Sequence, residues 1–383
     1  MKQAATFSGL PNDGDKRAPS VAVIGAGVSG AACVFGLRSV GFDVTVFEKS
    51  SGVGGRMATR RATWMDAAGV AQAEEFDHGC GQFRVTRPPF QAAVKRAVKL
   101  GFATHWRQDV YAPFPAARYR HVVVPTPNMP ALCRHLLGDA TLSLAHTVTG
   151  LQRVAAGWLV RVADDHAEEH LEGPFDQVVL ALPPSQAALL LHHYCPDWTR
   201  ALSSVRATPC WTLMAVTNDV DWPWDSALVE RSELARIARN DRKPGRTPPR
   251  DRVPWLAHAT PAWSLAHLND DPADVTTVLK AALARQLPSV KPLTWHHTSV
   301  HRWRYARFDR IATNGLDCFW NDALGIGVCG DAFGAGNVEA AWSSGDELAN
   351  AMSASFDAVP EPVGSPDVRF EIEPALDLAD ALH

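Results

Sequence analysis

Six residues, Gly25-Ala26-Gly27-Val28-Ser29-Gly30, constrain this chain more than any others. The run before them, Val21-Ala22-Val23-Ile24, is apolar and strand-like. A helix pattern follows from Ser29 to about Val40, with Gly41 as its C-cap. Val44-Thr45-Val46-Phe47 then reads as a second strand ending at Glu48. Strand, helix and strand in so short a span make a βαβ unit. In such a unit Gly25 permits the tight turn, Gly27 lets a pyrophosphate approach the backbone, and Gly30 lets the helix pack closely on the sheet. The helix N-terminus offers unpaired N–H groups to the phosphate. Glu48 is placed to accept hydrogen bonds from the ribose hydroxyls of an adenosine and to disfavour a 2′-phosphate.

This dinucleotide fingerprint does not separate a nicotinamide from a flavin cofactor. A second glycine cluster, Gly52-Val53-Gly54-Gly55-Arg56, comes directly after Glu48 and suits a second approach to a cofactor phosphate through Arg56. Further strand-like runs lie at 177–182, ending at Pro183-Pro184, and at 325–329, ending at Gly330-Asp331. The latter leads through Gly334 and Gly336 into a helix pattern from about Val338 to Met352. Asp331 can accept a ribityl hydroxyl, and the N–H groups opening that helix can face the O2 side of a flavin ring. An ordinary helix N-cap is the alternative reading of Asp331.

The chain has 383 residues, enough for two or three domains, and a formal charge of −4. That balance carries no electrostatic footprint for nucleic acid or anionic membrane. No apolar run reaches membrane-spanning length. Seven cysteines, an odd number with wide spacings and no CxxC, argue against a disulfide framework and for a reducing cytoplasm. Residues 1–19 lack the apolar core of a signal peptide and read as a loose leader, and the segment from about Asp357 reads as an acidic, proline-containing tail with a short ordered stretch around 368–372. The Arg- and Pro-rich segment 231–254 reads as a surface loop. Of 13 tryptophans, ten fall from Trp198 to Trp342. No spacing reads as a metal site, and no hydrolase elbow is present.

Phe47-Glu48-Lys49, the run Gly54-Gly55-Arg56-Met57-Ala58-Thr59-Arg60-Arg61, and Asp77-His78-Gly79 resemble the opening of renalase-like flavoproteins, within the wider superfamily of monoamine oxidases, phytoene desaturases and protoporphyrinogen oxidases. The resemblance continues through Lys243-Pro244-Gly245-Arg246, the segment from His258 to Ser264, and His301-Arg302-Trp303-Arg304-Tyr305-Ala306, and ends in Gly330-Asp331 and the segment from Val338 to Gly345. It implies an α/β fold: a Rossmann-like FAD-binding domain of p-hydroxybenzoate hydroxylase type with an inserted α+β substrate domain. The FAD domain would comprise 20–90, 141–185 and 321–355, and the substrate domain 91–140 and 186–320, between leader 1–19 and tail 356–383. The cofactor set it implies is Gly25, Gly27, Ser29, Gly30, Glu48, Gly55, Arg56, Met57, Val148, Gly330, Asp331 and Val338, with Val148 offering its backbone to the adenine. A core valine is the competing view of Val148.

The implied reaction is oxidation of a 2- or 6-dihydro isomer of NAD(P), with hydride passing to flavin N5 and O2 reoxidising the flavin to hydrogen peroxide. There are departures: the expected Asp-His-Gly-Ala-Gln-Tyr-Phe is here Asp77-His78-Gly79-Cys80-Gly81-Gln82-Phe83, so the glutamine is displaced. The acidic stretch 67–75 also resembles an insertion. An amine oxidase or desaturase acting on a small amine or specialised metabolite therefore stays open as the alternative. The absence of a lysine near Trp303 in sequence counts mildly against an amine oxidase. A flavin-binding sensor is a third reading, unsupported by any appended signalling domain.

Hydride transfer asks the protein for position and electrostatics rather than acid–base chemistry. A planar substrate stacks on aromatic rings, which makes Trp263 and Trp303 candidates, each with core packing as the alternative. His78 is a candidate because the family places its loop near the isoalloxazine. His258 and His301 could bind a carboxamide, or be structural; Arg302 and Arg304 could meet a phosphate, or solvent. Cys80 reads as a small apolar filler rather than a flavin link or redox thiol. The partners expected are a small dihydronicotinamide or amine and O2, with no nucleic acid, no membrane and the oligomeric state open.

Overall fold

In the computed structural model, which describes residues 17–114, 118–164, 166, 168–247, 251–287 and 292–354, the apolar run after Pro19 forms strand β1 (Ser20–Ile24). All five of its residues are buried, because both of its faces are covered. It pairs in parallel with β2 (Asp43–Glu48) on one side and β11 (Gln177–Leu180) on the other. The sheet is completed by β7 (Thr141–Leu144), β18 (Ile326–Val328) and β17 (Phe319–Asn321), in the order β17-β18-β11-β1-β2-β7.

The two faces of β1 feed two cores. Val21 and Val23 meet α1 (Val28–Ser39), α2 (Pro88–Lys99), α3 (Ala131–Leu137) and α8 (Val338–Ala354). Ala22 and Ile24 meet the antiparallel sheet of β8 (Thr147–Val154), β9 (Gly157–Ala163) and β10 (Glu169–Phe175), together with α4 (Pro184–Leu191) and α5 (Pro196–Ser203).

A second, seven-stranded sheet is built from β5 (Ala103–Tyr111), β6 (Tyr119–Pro125), β12 (Ala207–Asn218), β13 (Ser226–Leu228), β14 (Leu234–Arg239), β15 (Arg252–Ala259) and β16 (Trp295–Phe308). Its order is β16-β12-β15-β14-β13-β5-β6. Side-chain alternation gives it two unlike faces. Trp211, Leu213, Ala215, Trp255 and Ala257 face a core closed by α6 (Pro261–Ala266) and α7 (Pro272–Gln286). Met214, Val216 and Leu256 face the other way, onto Phe76 at the end of the hairpin β3 (Arg60–Met65) and β4 (Ala71–Phe76). Trp211 and Trp255 are fully buried, so much of the tryptophan bias is core packing.

The loop expected at 231–254 is corrected. The segment 231–254 is not one loop: it contains β14 and the start of β15, whose arginines are held by specific partners, Arg239 by Asp241 at 2.7 Å. The stretch 67–75 turns the β3–β4 hairpin and forms most of β4. Helices within 91–140 and 186–320 (most of α2, α3, α5 and most of α4) pack on the parallel sheet. The pieces of those spans that enter the seven-stranded sheet lie within 103–125 and 207–308. The leader and tail readings lie outside the described residues, except that Arg17 donates to Asp176 at 2.9 Å.

Candidate functional site

The first glycine turn is a cradle with little room for side chains on its inner wall. Gly25 has φ +108°, and a Cβ there would stand 2.5 Å from the Ala181 carbonyl oxygen. A Cβ on Gly30 would overlap the Gly25 carbonyl oxygen. Beside Gly27 and Gly330, in contrast, nothing lies within 4 Å of the Cβ position. The second glycine loop lies against the first, with the Gly54 N–H donating to the Ala26 carbonyl at 2.9 Å. Glu48, 7% exposed, accepts from the Ala26 N–H with one oxygen and from the Ser50 N–H with the other, both at 2.9 Å. Each oxygen keeps a second lone pair. The Glu48 carbonyl accepts from the His146 N–H at 3.0 Å, which brings the start of β8 and half-buried Val148 alongside. These features fit a dinucleotide: open backbone at Gly27, an α1 start without a side-chain cap and a carboxylate at the end of β2.

The two ends of the chain meet here. Gly345 of α8 lies so close to the Ser29 carbonyl that a Cβ would overlap it, and the Gly330 N–H donates to Ser344 Oγ at 2.9 Å. Arg56 donates to both oxygens of buried Asp331, at 2.8 and 2.5 Å, across 275 residues of sequence. Here these two groups bond each other, where the sequence suggested a phosphate for Arg56 and a ribityl hydroxyl for Asp331. Met57, 2% exposed, is a core side chain, and Val338, 8% exposed, opens α8.

Residues 77–82 run between this cradle and the seven-stranded sheet. Asp77 is fully buried and accepts from Thr59 Oγ1 at 2.7 Å, Lys243 Nζ at 3.0 Å and Arg246 Nη2 at 2.7 Å. Burial opposes its ionisation, but Lys243 and Arg246 outweigh that and hold its carboxyl below the usual range. The Cys80 N–H donates to the Arg56 carbonyl at 2.8 Å, and a Cβ on Gly79 would overlap that same oxygen. Trp303 Nε1 donates to the His78 carbonyl at 3.1 Å, and its ring lies 4.8 Å from the His78 ring. His301 meets His78 edge-on at 4.7 Å, and a ring nitrogen of His258 lies 3.2 Å from the Gly79 carbonyl oxygen. The Nδ1 atoms of His78 and His258 are buried without a partner. Burial pushes all three histidines down to about 4, helped for His78 by His301 and Arg60, so they are neutral at pH 7.

His78 and Trp303 are thus brought together, and with them His258 and His301. Trp263 is not: it stacks on His267 at 4.3 Å in the core under α6 and α7, on the opposite face of the sheet. Arg302 lies on that face as well, donating to the Leu268 carbonyl, and Arg304 lies against Asn269. Burial raises the Cys80 thiol, as for a filler. Lys243 and Arg246 were missed as the partners of Asp77, although both stand in the Lys243-Pro244-Gly245-Arg246 string. Lys243 also supplies, from far along the chain, a lysine beside Gly81 in the loop that Trp303 touches.

A glycine cradle on the parallel sheet and a wall of Trp303 and three histidines on the seven-stranded sheet meet along residues 77–82. Comparison with known proteins agrees. A family profile described as an NAD(P)-binding Rossmann-like domain matches residues 23–97. The bifunctional protein MnmC of tRNA 5-methylaminomethyl-2-thiouridine biosynthesis from Magnetococcus marinus is 27% identical over 202 residues, 42% of this chain and 29% of that protein. The chain therefore spans less than a third of that relative's length. A protoporphyrinogen oxidase candidate from Exiguobacterium sp. 255-15 superposes with TM-score 0.62 at 11% identity, covering 88% of this chain and 99% of that one. Putrescine oxidase bound to putrescine superposes with TM-score 0.59 at 14% identity, covering 88% and 100%. The chain has the fold of these oxidases.

Proposed function

We propose that this chain is an FAD-dependent oxidase that takes a hydride from a carbon next to nitrogen in a small amine. The observation that carries this reading is the wall of Trp303, His78, His258 and His301 set against residues 77–82, directly beside the Arg56 loop of the nucleotide cradle. Gly25, Gly27, Gly30 and Glu48 would hold the adenosine and pyrophosphate, with Ser29, Gly55, Arg56 and Val148 around them and the Met57 side chain packed in the core behind; Gly330, Asp331 and Val338 would hold the flavin end. When bound, FAD would supply the hydride acceptor and the route of electrons to O2, with hydrogen peroxide as the product. Everything else falls to the protein. Trp303 gives a planar surface for the substrate. His78, neutral and with Nδ1 unpaired, can accept a hydrogen bond from an amine N–H in the tautomer that leaves Nδ1 unprotonated. The Asp77–Lys243–Arg246 cluster fixes the loop that carries His78. Likeness to putrescine oxidase and protoporphyrinogen oxidase supports an oxidase of this type, and Lys243, beside Gly81, weakens the sequence argument that no lysine stands near Trp303.

A second reading, oxidation of 2- or 6-dihydro-NAD(P) on a p-hydroxybenzoate hydroxylase-type scaffold, rests on the renalase-like strings at 54–61 and 301–306. A cytoplasmic site fits seven free cysteines, and no helix among the described residues is long and apolar enough to cross a membrane. Rapid anaerobic mixing with amines and with dihydronicotinamide isomers tests both. Bleaching of the bound flavin by amines is the expected result, bleaching by the isomers alone moves the assignment to the second reading, and a colourless protein unable to take up FAD removes both.

A further inference from the structure

Register sets Arg236 of β14 opposite His258 of β15, on the sheet face that carries Trp303 and residues 77–82. Among the described residues its guanidinium makes one hydrogen bond, from Nη2 to Gln108 Oε1 at 3.2 Å. The same oxygen accepts from Gln82 Nε2 at 2.8 Å. Gln108 is fully buried, and its Nε2, with two N–H groups, has no partner. Flipping the Gln108 amide does not help, because it would set an NH2 against a guanidinium that can only donate. Arg120 stands across from Gln108 in the β5–β6 register and adds a second positive charge nearby. Among the described residues neither Arg236 nor Arg120 is paired with a carboxylate, and Asp77 is already engaged by Lys243 and Arg246. Burial and Arg120 lower Arg236 to about 10, so it stays charged at neutral pH.

Among the described residues this cluster has donors and positive charge but no matching acceptor. A half-buried cation and an orphaned buried amide both cost free energy unless something arrives to pair with them. We infer that Arg236 and Gln108 form a subsite for an anionic oxygen group, carboxylate or phosphate, on the substrate that reacts at the Trp303 wall. The inference rests on the oxidase reading and sharpens it: the substrate is an amine that also bears a negative charge. A plain diamine such as putrescine has no group for this subsite. A carboxylate would mark an amino-acid-like amine, and a phosphate a nucleotide-like substrate.

The test uses the FAD-loaded full chain, with benzoate, inorganic phosphate and the uncharged benzamide as probes. Binding is read from tryptophan fluorescence and from the flavin spectrum. Wild type is expected to bind benzoate or phosphate, whichever names the source, and to ignore benzamide. Arg236→Met should weaken that binding by about 30-fold or more, with Arg236→Lys in between. FAD content should be unchanged in both variants. Without anion, the unfolding midpoint of Arg236→Met should equal or exceed wild type, because an unpaired charge has been removed; a lower midpoint would make Arg236 a structural residue and overturn the inference. Equal anion binding in wild type and Arg236→Met, or none in wild type, also overturns it. Protein that takes up no FAD yet binds anion through Arg236 would sink the oxidase reading and keep the subsite. FAD-loaded protein indifferent to both anions would do the reverse.

Discussion

Asp77 is the residue on which most of the site's charge balance turns. One fully buried carboxylate faces two buried cations, Lys243 and Arg246. Asp77→Asn would leave both cations uncompensated, and removing one partner of a buried pair typically costs about 3–5 kcal/mol. The expected result is a denaturant midpoint lowered by that amount, with loss of FAD-dependent colour in proportion to unfolding. A change under about 1 kcal/mol would show that solvent reaches the cluster. The carboxyl is held below its ordinary range, so its contribution is present above about pH 4 and fades as pH falls through the lowered value. The histidines run in the same direction for a different reason. His78, His258 and His301 are pushed down to about 4, while the unfolded chain protonates near 6.5. Between those values the unfolded state binds more protons, so acidification from pH 6.5 to 4 should steadily lower stability. His78→Gln should flatten that slope, as read from urea midpoints across the range; an unchanged slope would mean that His78 titrates normally.

At the scale of elements, one sheet with two faces explains why two tryptophans equal in the sequence part company. Trp303 is on the face turned to residues 77–82, and Trp263 packs with His267 beneath the helices. Trp303→Phe removes the N–H that holds the His78 carbonyl and should slow flavin reduction by roughly tenfold, about 1.4 kcal/mol, with little change in melting. Trp263→Phe should do the opposite, and a matched loss of reduction rate in both would contradict the two-face assignment. Helix α1 and helix α8 cross at Gly345, where a side chain has nowhere to go because the obstacle is the Ser29 backbone. Gly345→Val is therefore expected to cost at least the about 1–3 kcal/mol typical of overpacking, seen as a lower unfolding midpoint and weaker FAD retention. The βαβ unit was legible because turn, cap and period agree along one local stretch from Val21 to Glu48. The Lys243 and Arg246 partnership with Asp77 was not, since the residues lie over 160 positions apart and only tertiary packing joins them. β14 was hidden for a related reason: arginines in its Leu-Ala-Arg-Ile-Ala-Arg run read as surface until Gln108 and Asp241 are known to meet them.

At the scale of the whole molecule, the first and last described elements of the chain close on one cradle. β1 and β18 flank β11 in a single sheet, α1 lies on α8, and Arg56 grips Asp331 across 275 residues. The half of the fold between them, the seven-stranded sheet, is anchored to that cradle through residues 77–82. A ligand filling the cradle is expected to touch both ends and residues 77–82, on which the seven-stranded sheet packs, and FAD should then act as a folding ligand for the entire chain. Linkage sets the size of the effect: at free FAD a thousandfold above its dissociation constant the stabilisation is about 4 kcal/mol. The unfolding midpoint should climb with the logarithm of FAD concentration, in one cooperative transition. Asp331→Asn, which loses the charge that Arg56 grips, should lower the FAD-free midpoint modestly and shift the whole FAD dependence to higher concentration. If the midpoint ignores FAD, or if the parallel sheet and the seven-stranded sheet melt separately with only one responding, then the cradle does not couple the two ends to the insertion.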